Sequence, residues 1–205
     1  MKYLIFDFDG VLADTFEANL QARINLGRVK TRAAALERIH SYFDNKPTHT
    51  RNHSLSEAEL ADFRKRIVEM GTEIGRLGFP MFQEFIDEIK KITDKKVAIV
   101  STGSIVYVKD KALASGLNPT HILTYEDHHS KEEKIEQICK GWGISVKDVY
   151  YFTDSKADVY ELENFLDRRK IIGASWGFCG YEKLKELLPE NQILREFSDI
   201  HKIIK

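Results

Sequence analysis

Residues 3–15, YLIFDFDGVLADT, run an apolar segment straight into acids at Asp7, Asp9 and Asp14. The first six residues, 3–8, read as a buried strand, because a short apolar run suits a parallel sheet covered on both faces. Asp9-Gly10 by itself is an ordinary turn, with the aspartate bonding its own backbone. Two acids spaced by one residue at a strand end are less ordinary, since like charges on one face repel. Asp14 sits where the chain leaves this segment and is left out of the acidic pair.

Further apolar runs follow the same plan at 96–101 (KVAIVS), 121–125 (HILTY), 148–153 (DVYYFT) and 170–174 (KIIGA). Helical patterns over 80–93, 104–115, 131–142 and 156–168 alternate with them. Gly116 and Gly143 stand where helices stop. This βαβ rhythm predicts a three-layer, Rossmann-like α/β core built on a parallel sheet. The rhythm breaks once, over 16–78, where helices are predicted at 16–27, 31–43 and 56–77 with a polar loop, DNKPTHTRNHSL, at 44–55. Ser56 with Glu59 forms a capping-box pattern for the third helix. The division that follows is a core of residues 1–15 plus 79–205 and a small all-α insertion of residues 16–78.

Composition bounds the function. The 205 residues are 42% hydrophobic, enough for a real core, and 31% charged with a formal net charge of -1. No basic field exists to hold a nucleic acid. Cys139 and Cys179 match no metal-ligand or disulfide spacing and read as small buried or surface thiols. The N-terminal apolar run is too short for a signal peptide, and no segment approaches a membrane span. A cytoplasmic protein is expected.

Ligands of open parallel sheets bind beyond the carboxyl ends of the strands. Those ends carry Asp7 and Asp9, then Ser101-Thr102-Gly103-Ser104, then Thr153-Asp154 with Asp158 four residues on. Lys131 opens the helix before the fourth strand. Each alone has a plain reading: Ser101-Thr102 as a helix N-cap, Asp154 and Asp158 as first-turn acids, Lys131 as a surface lysine. Together, carboxylates at adjacent strand ends call for a cation, and oxygen donors point to Mg²⁺. Hydroxyls, a glycine N–H and a lysine beside that cation point to a phosphate.

These four segments, in this order, resemble the motifs of the haloacid dehalogenase superfamily of phosphohydrolases. They are the Asp-x-Asp of IFDFDGVLADT, the Ser101 of VAIVSTGS, the Lys131 of HSKEEKIEQI, and the Asp154 and Asp158 of YYFTDSKADV. Lys134 is the rival for the third. The segment IIGASWGFCGYEKL is similar to the phosphoglycolate-phosphatase-like members. The resemblance implies Asp7 as nucleophile, Asp9 as general acid and base, and a phosphate grip from Ser101, Thr102, Gly103 and Lys131. It implies Mg²⁺ on Asp7, the Asp9 carbonyl and Asp154, with Asp158 in the same metal group or orienting Lys131. The insertion would be a cap that selects the substrate. Lys46, His49, Arg51 and His53 in its loop are the candidate substrate contacts, and Arg23 and Arg28 read as a solvated face.

The implied activity is Mg²⁺-dependent hydrolysis of a small phosphomonoester through an aspartyl-phosphate. The second aspartate, Asp9, speaks against dehalogenase chemistry, and no cap lysine is marked out for a phosphonatase Schiff base. A sugar phosphomutase of the β-phosphoglucomutase type and a non-catalytic binding module on the same fold are the alternatives.

Overall fold

The computed structural model describes residues 1–47, 50–51 and 55–204. The sheet has six parallel strands: β1 (Lys2–Phe6), β2 (Lys95–Val100), β3 (His121–Leu123), β4 (Tyr150–Thr153), β5 (Ile171–Ala174) and β6 (Ile193–Leu194). Their order is β3-β2-β1-β4-β5-β6. Five match the predicted runs, with ends shifted by up to two residues. The sixth was not predicted, because two residues carry no periodic signal.

The order places β1 at the centre. Phe6 pairs with Ile99 of β2 on one side and with Phe152 of β4 on the other. Beyond β1, the Asp7 N–H continues the ladder to the Phe152 carbonyl at 2.9 Å. Segments near positions 7, 101 and 154, far apart in the chain, therefore emerge side by side.

Alternation along the strands fills both faces. Leu4 and Phe6 join Val97, Ile99, Phe152 and Ile172 in one core, against Phe85, Ile86 and Ile89 of α4 (Gln83–Lys91). Ile5, Ala98, Val100 and Tyr151 face the other way, onto α6 (Lys131–Trp142) and α7 (Lys156–Leu162). Helix α5 (Ile105–Ala114) follows β2. Cys139 and Cys179 are buried and unpaired, and burial pushes both thiols up to about 12.

Between β1 and α4 the chain forms α1 (Phe16–Asn25), α2 (Arg32–Asp44) and α3 (Glu57–Leu77). Helix α1 packs on both others, while α3 packs on α5 and α2 on α7. Helix α3 opens with the expected capping box of Ser56 and Glu59. The outgoing and returning strands of chain lie together, with the Asp14 N–H donating to the Pro80 carbonyl at 3.0 Å and the Phe82 N–H to Leu12 at 2.9 Å. Among the described residues, no helix is long and apolar enough to cross a membrane.

Phe6 carries much of the central packing. It is fully buried, stacks on Phe152 at 4.5 Å and meets the Phe85 ring edge-on at 6.0 Å. Phe6→Ala is expected to lower stability by about 3–5 kcal/mol, read as a shifted urea midpoint at unchanged slope.

Candidate active site

The acids at the end of β1 have different neighbours. Asp7 Oδ2 accepts from Lys131 Nζ at 2.7 Å, and Oδ1 accepts from the Phe8 N–H at 2.7 Å. Asp9 Oδ1 accepts from the Thr15 hydroxyl at 2.6 Å, while Oδ2 accepts from the Tyr107 hydroxyl at 2.8 Å and from Ser101 Oγ at 3.3 Å. Both aspartates line one cavity of about 510 Å³ beneath the inserted helices.

Lys131 is only 1% exposed and lies between two carboxylates. Its Nζ is 2.7 Å from Asp7 and 2.6 Å from Asp158. Burial opposes its charge, but Asp158 and Asp7 overcome that and hold its pKa well up. Asp158 Oδ2 is also fixed by the Thr153 hydroxyl at 2.6 Å and the Tyr151 hydroxyl at 3.1 Å. Lys131 is the first residue of α6. The Glu161 carboxylate caps that helix, accepting from the Lys131 N–H at 2.7 Å and from Ser130 Oγ at 3.1 Å. An anion at a helix N-terminus is favourable, so Glu161 fixes where Lys131 starts.

The geometry separates the two lysines that competed for the third motif. Lys134 is also fully buried, but its Nζ donates to the Ser101 carbonyl at 2.6 Å. Burial, reinforced by Lys131, pulls its pKa down to about 7. Lys131 is the lysine beside Asp7, and Lys134 holds the end of β2.

Thr102 and Gly103 line the cavity. The Gly103 N–H, read as a phosphate donor, here donates to Ser101 Oγ at 2.8 Å. A Cβ on Gly103 would fall 2.0 Å from the Tyr107 hydroxyl, so that phenol reaches Asp9 only because residue 103 has no side chain.

The acids do not converge as one four-carboxylate metal group. Among the described residues, no three His, Cys, Asp or Glu side chains are arranged to hold a metal by themselves. The reason is local: Asp158 is turned to Lys131, and the Asp9 side chain to Thr15, Tyr107 and Ser101. What remains still fits a hard cation that keeps several waters and takes one or two carboxylates. Asp154 is buried with Oδ2 on the Phe178 N–H at 2.6 Å, and its Oδ1 has no hydrogen-bond partner. Burial pushes its carboxyl up to about 7. Burial also pushes Asp7 well up, with Lys131 pulling against it and Asp158 and Asp154 adding to it. A cation beside Asp7 and Asp154 reverses both pushes. Space for Asp154 is kept by two glycines: a Cβ on Gly10 would lie 1.9 Å from its Oδ2, and one on Gly177 2.3 Å from its Cβ.

The loop residues named as substrate contacts do not reach the cavity. Arg51 binds Glu133 at 2.8 Å through Nε, pairs with Glu136, and lies over the Phe165 ring at 5.0 Å. The acidic outer face of α6 captures it. Lys46 stands over the Tyr160 ring at 5.7 Å. His49 and His53 lie outside the described residues. Arg23 and Arg28, read as a solvated face, instead line the cavity with Arg38, Arg66 and Tyr42. No sequence signal marked Thr15, Tyr107, Tyr151 or Glu161, because each acts on a residue brought near only by the fold.

Comparison with known proteins shows the family and the fold. The family model described as haloacid dehalogenase-like hydrolase matches residues 4–161. The chain belongs to that family of hydrolases. Its fold is similar to that of a predicted phosphatase from Clostridium acetobutylicum, at a TM-score of 0.68 and 18% identity over 98% of this chain and 96% of that one. A predicted phosphoglycolate phosphatase from Haemophilus somnus 129pt aligns at 0.66 and 15% identity, covering 100% and 98%. A phosphoserine phosphatase, solved as a phospho-aspartyl intermediate analogue, aligns at 0.60 and 20% identity, covering 100% and 99%. No curated protein sequence matches the chain.

The raised carboxyl of Asp154 gives a signed prediction. Unfolded, it titrates near 4; folded, at about 7. The folded state thus binds the extra proton in between, so metal-free stability falls as pH rises from ~4 to ~7 and stays low above, by an amount on the order of a few kcal/mol. In EDTA, Asp154→Asn is expected to melt above the parent at pH 8, with the gap closing toward pH 4. Added Mg²⁺ should raise the melting temperature of the parent and not of the variant. Equal melting curves throughout would count against this reading of Asp154.

Proposed function

We propose that the protein is a Mg²⁺-dependent phosphatase that hydrolyses a small phosphomonoester through a phosphorylated Asp7. One observation carries the reading: Asp7 lies at the floor of a cavity, its charge balanced by buried Lys131, with Asp9 beside it on three hydroxyl donors. A structural ion pair has no need of the second acid or of the cavity.

Asp7 attacks phosphorus in line, forming an aspartyl O–P bond as the bond to the leaving alcohol breaks. Asp9 gives its proton to the leaving oxygen, then takes one from the water that cleaves the Asp7–phosphorus bond and releases inorganic phosphate. Burial raises the Asp9 carboxyl against its three hydrogen bonds, which favours the protonated form needed for the first half. Ser101 and the backbone at Thr102 and Gly103 orient phosphate oxygens, with Gly103 changing partners as the phosphate arrives. Lys131 offsets charge between Asp7 and the incoming group.

Asp7, Asp154 and the Asp9 carbonyl would hold Mg²⁺. That ion supplies electrostatic stabilisation of the phosphoryl oxygens. Asp158 serves by orienting Lys131. Residues 16–78 act as a cap that excludes water and selects the substrate. The phosphoserine phosphatase whose structure holds a phospho-aspartyl analogue supports this route by its shared fold.

The test is phosphate release from a panel of phosphate esters with Mg²⁺. Asp7→Asn and EDTA should each abolish release, a loss of about 10³-fold or more. Mass spectrometry of acid-quenched parent should find phosphate on the peptide containing Asp7. Release that persists unchanged in Asp7→Asn would overturn the proposal.

A further inference from the structure

The cap side of the cavity has a charge problem that phosphate chemistry at Asp7 does not explain. Among the described residues, four arginines line it: Arg23 of α1, Arg28 just after it, Arg38 of α2 and Arg66 of α3. Among the described residues, the only acidic ones lining the same cavity are Asp7 and Asp9, and Asp7 is already paired with Lys131. Arg28 has Glu69 at 3.4 Å, and Arg66 has Asp62 at 2.8 Å. Arg23 and Arg38 have no carboxylate partner among the described residues. Arg23 Nε donates to the Asn19 side chain at 3.0 Å, and Arg38 Nη1 to the Arg28 carbonyl at 3.3 Å.

These guanidinium groups repel one another. Burial, then Arg38 and Arg28, depress the pKa of Arg23, which lies only partly open to solvent. A guanidinium held in a cleft beside two others, with unused donors, is stabilised by an anion that takes a bidentate grip. Arg38 is exposed at the rim of the cavity, and Arg23 is half-buried. The walls joining the cap arginines to the strand ends are apolar and aromatic, with Phe63, Ile67, Met70 and Ile74 from α3 and Tyr107 from α5.

We infer that Arg23 and Arg38 form a second anion subsite, and that the substrate is a phosphomonoester carrying a further carboxylate or phosphate group on a short body with apolar surface. This rests on the phosphatase reading for the phosphate end alone. The arginine cluster stands on its own geometry. The phosphate at Asp7 is served by Lys131, the cation and the strand-end donors, so the cap arginines are surplus to it. A neutral alcohol half would leave them unbalanced.

The experiment compares three esters of one body: n-propyl phosphate, 3-phosphonooxypropionate and propane-1,3-diyl bisphosphate. Calorimetry on the Asp7→Asn protein with Mg²⁺ gives dissociation constants without turnover, and phosphate release by the parent gives kcat/KM. An ester with the second anion should bind about 10- to 100-fold more tightly than n-propyl phosphate, with the same preference in kcat/KM. The tighter of the two anionic esters identifies carboxylate or phosphate as the group recognised. Arg23→Gln and Arg38→Gln should each shrink the preference, and Arg23→Lys should restore part of it. Equal binding of all three esters, or arginine variants that weaken all three by the same factor, overturns the subsite. Esters that bind with the predicted preference but release no phosphate leave the subsite standing and overturn the phosphatase reading instead.

Discussion

One buried cation orders this site. Lys131 is shut away from water between Asp7 and Asp158. An ammonium in such a place is tolerable only with well-placed opposite charge, and loss of either carboxylate leaves an uncompensated charge in the interior. The arrangement therefore extends outward. Thr153 and Tyr151 hold Asp158, while Glu161 caps α6 so that the helix begins at Lys131. One turn along α6, Lys134 ties the Ser101 carbonyl to the same helix. The charge partner of Asp7, the end of β2 and the acid of α7 are thus set by one short stretch of α6.

The crowding on the other side of Asp7 has the same logic with smaller atoms. Asp154 can approach the end of β1 only because residues 10 and 177 are glycines, and Tyr107 can reach Asp9 only because residue 103 is one. Gly10 also adopts a positive φ of 72°, open to glycine at no steric cost. The site is thus dense with oxygen atoms on its floor, while among the described residues the roof lines the cavity with arginines and no acid. A carboxylate-rich floor suits a cation and a transferring phosphoryl group. An arginine-rich roof suits an anion.

Much of this could be read from the chain. The strand runs ending near Asp7, Ser101 and Asp154 are local patterns, and local patterns survive translation into structure because strand burial and helix capping depend on near neighbours. The Ser56–Glu59 capping box appeared as expected for the same reason. The reading failed where a side chain had a choice of partners. Arg51 sits in a polar loop, as a substrate contact would, yet Glu133 and Glu136 on the face of α6 take it. Arg23 and Arg28 look like a solvated helix face until α2 and α3 close over them. Asp158 has the spacing of a metal acid, but the nearest charge in the folded chain is Lys131.

The sequence by itself determined the fold class, the acids at the strand ends and the helix that carries Lys131 and Lys134, because each follows from periodicity, turn chemistry and motif order along the chain. Only the tertiary structure decided which charges meet. The strand order puts β1 between β2 and β4, and that adjacency, not spacing along the chain, sets Asp7 beside Asp154 and Ser101 beside Asp9. Electrostatic partnership depends on distance and burial, neither of which a linear pattern carries.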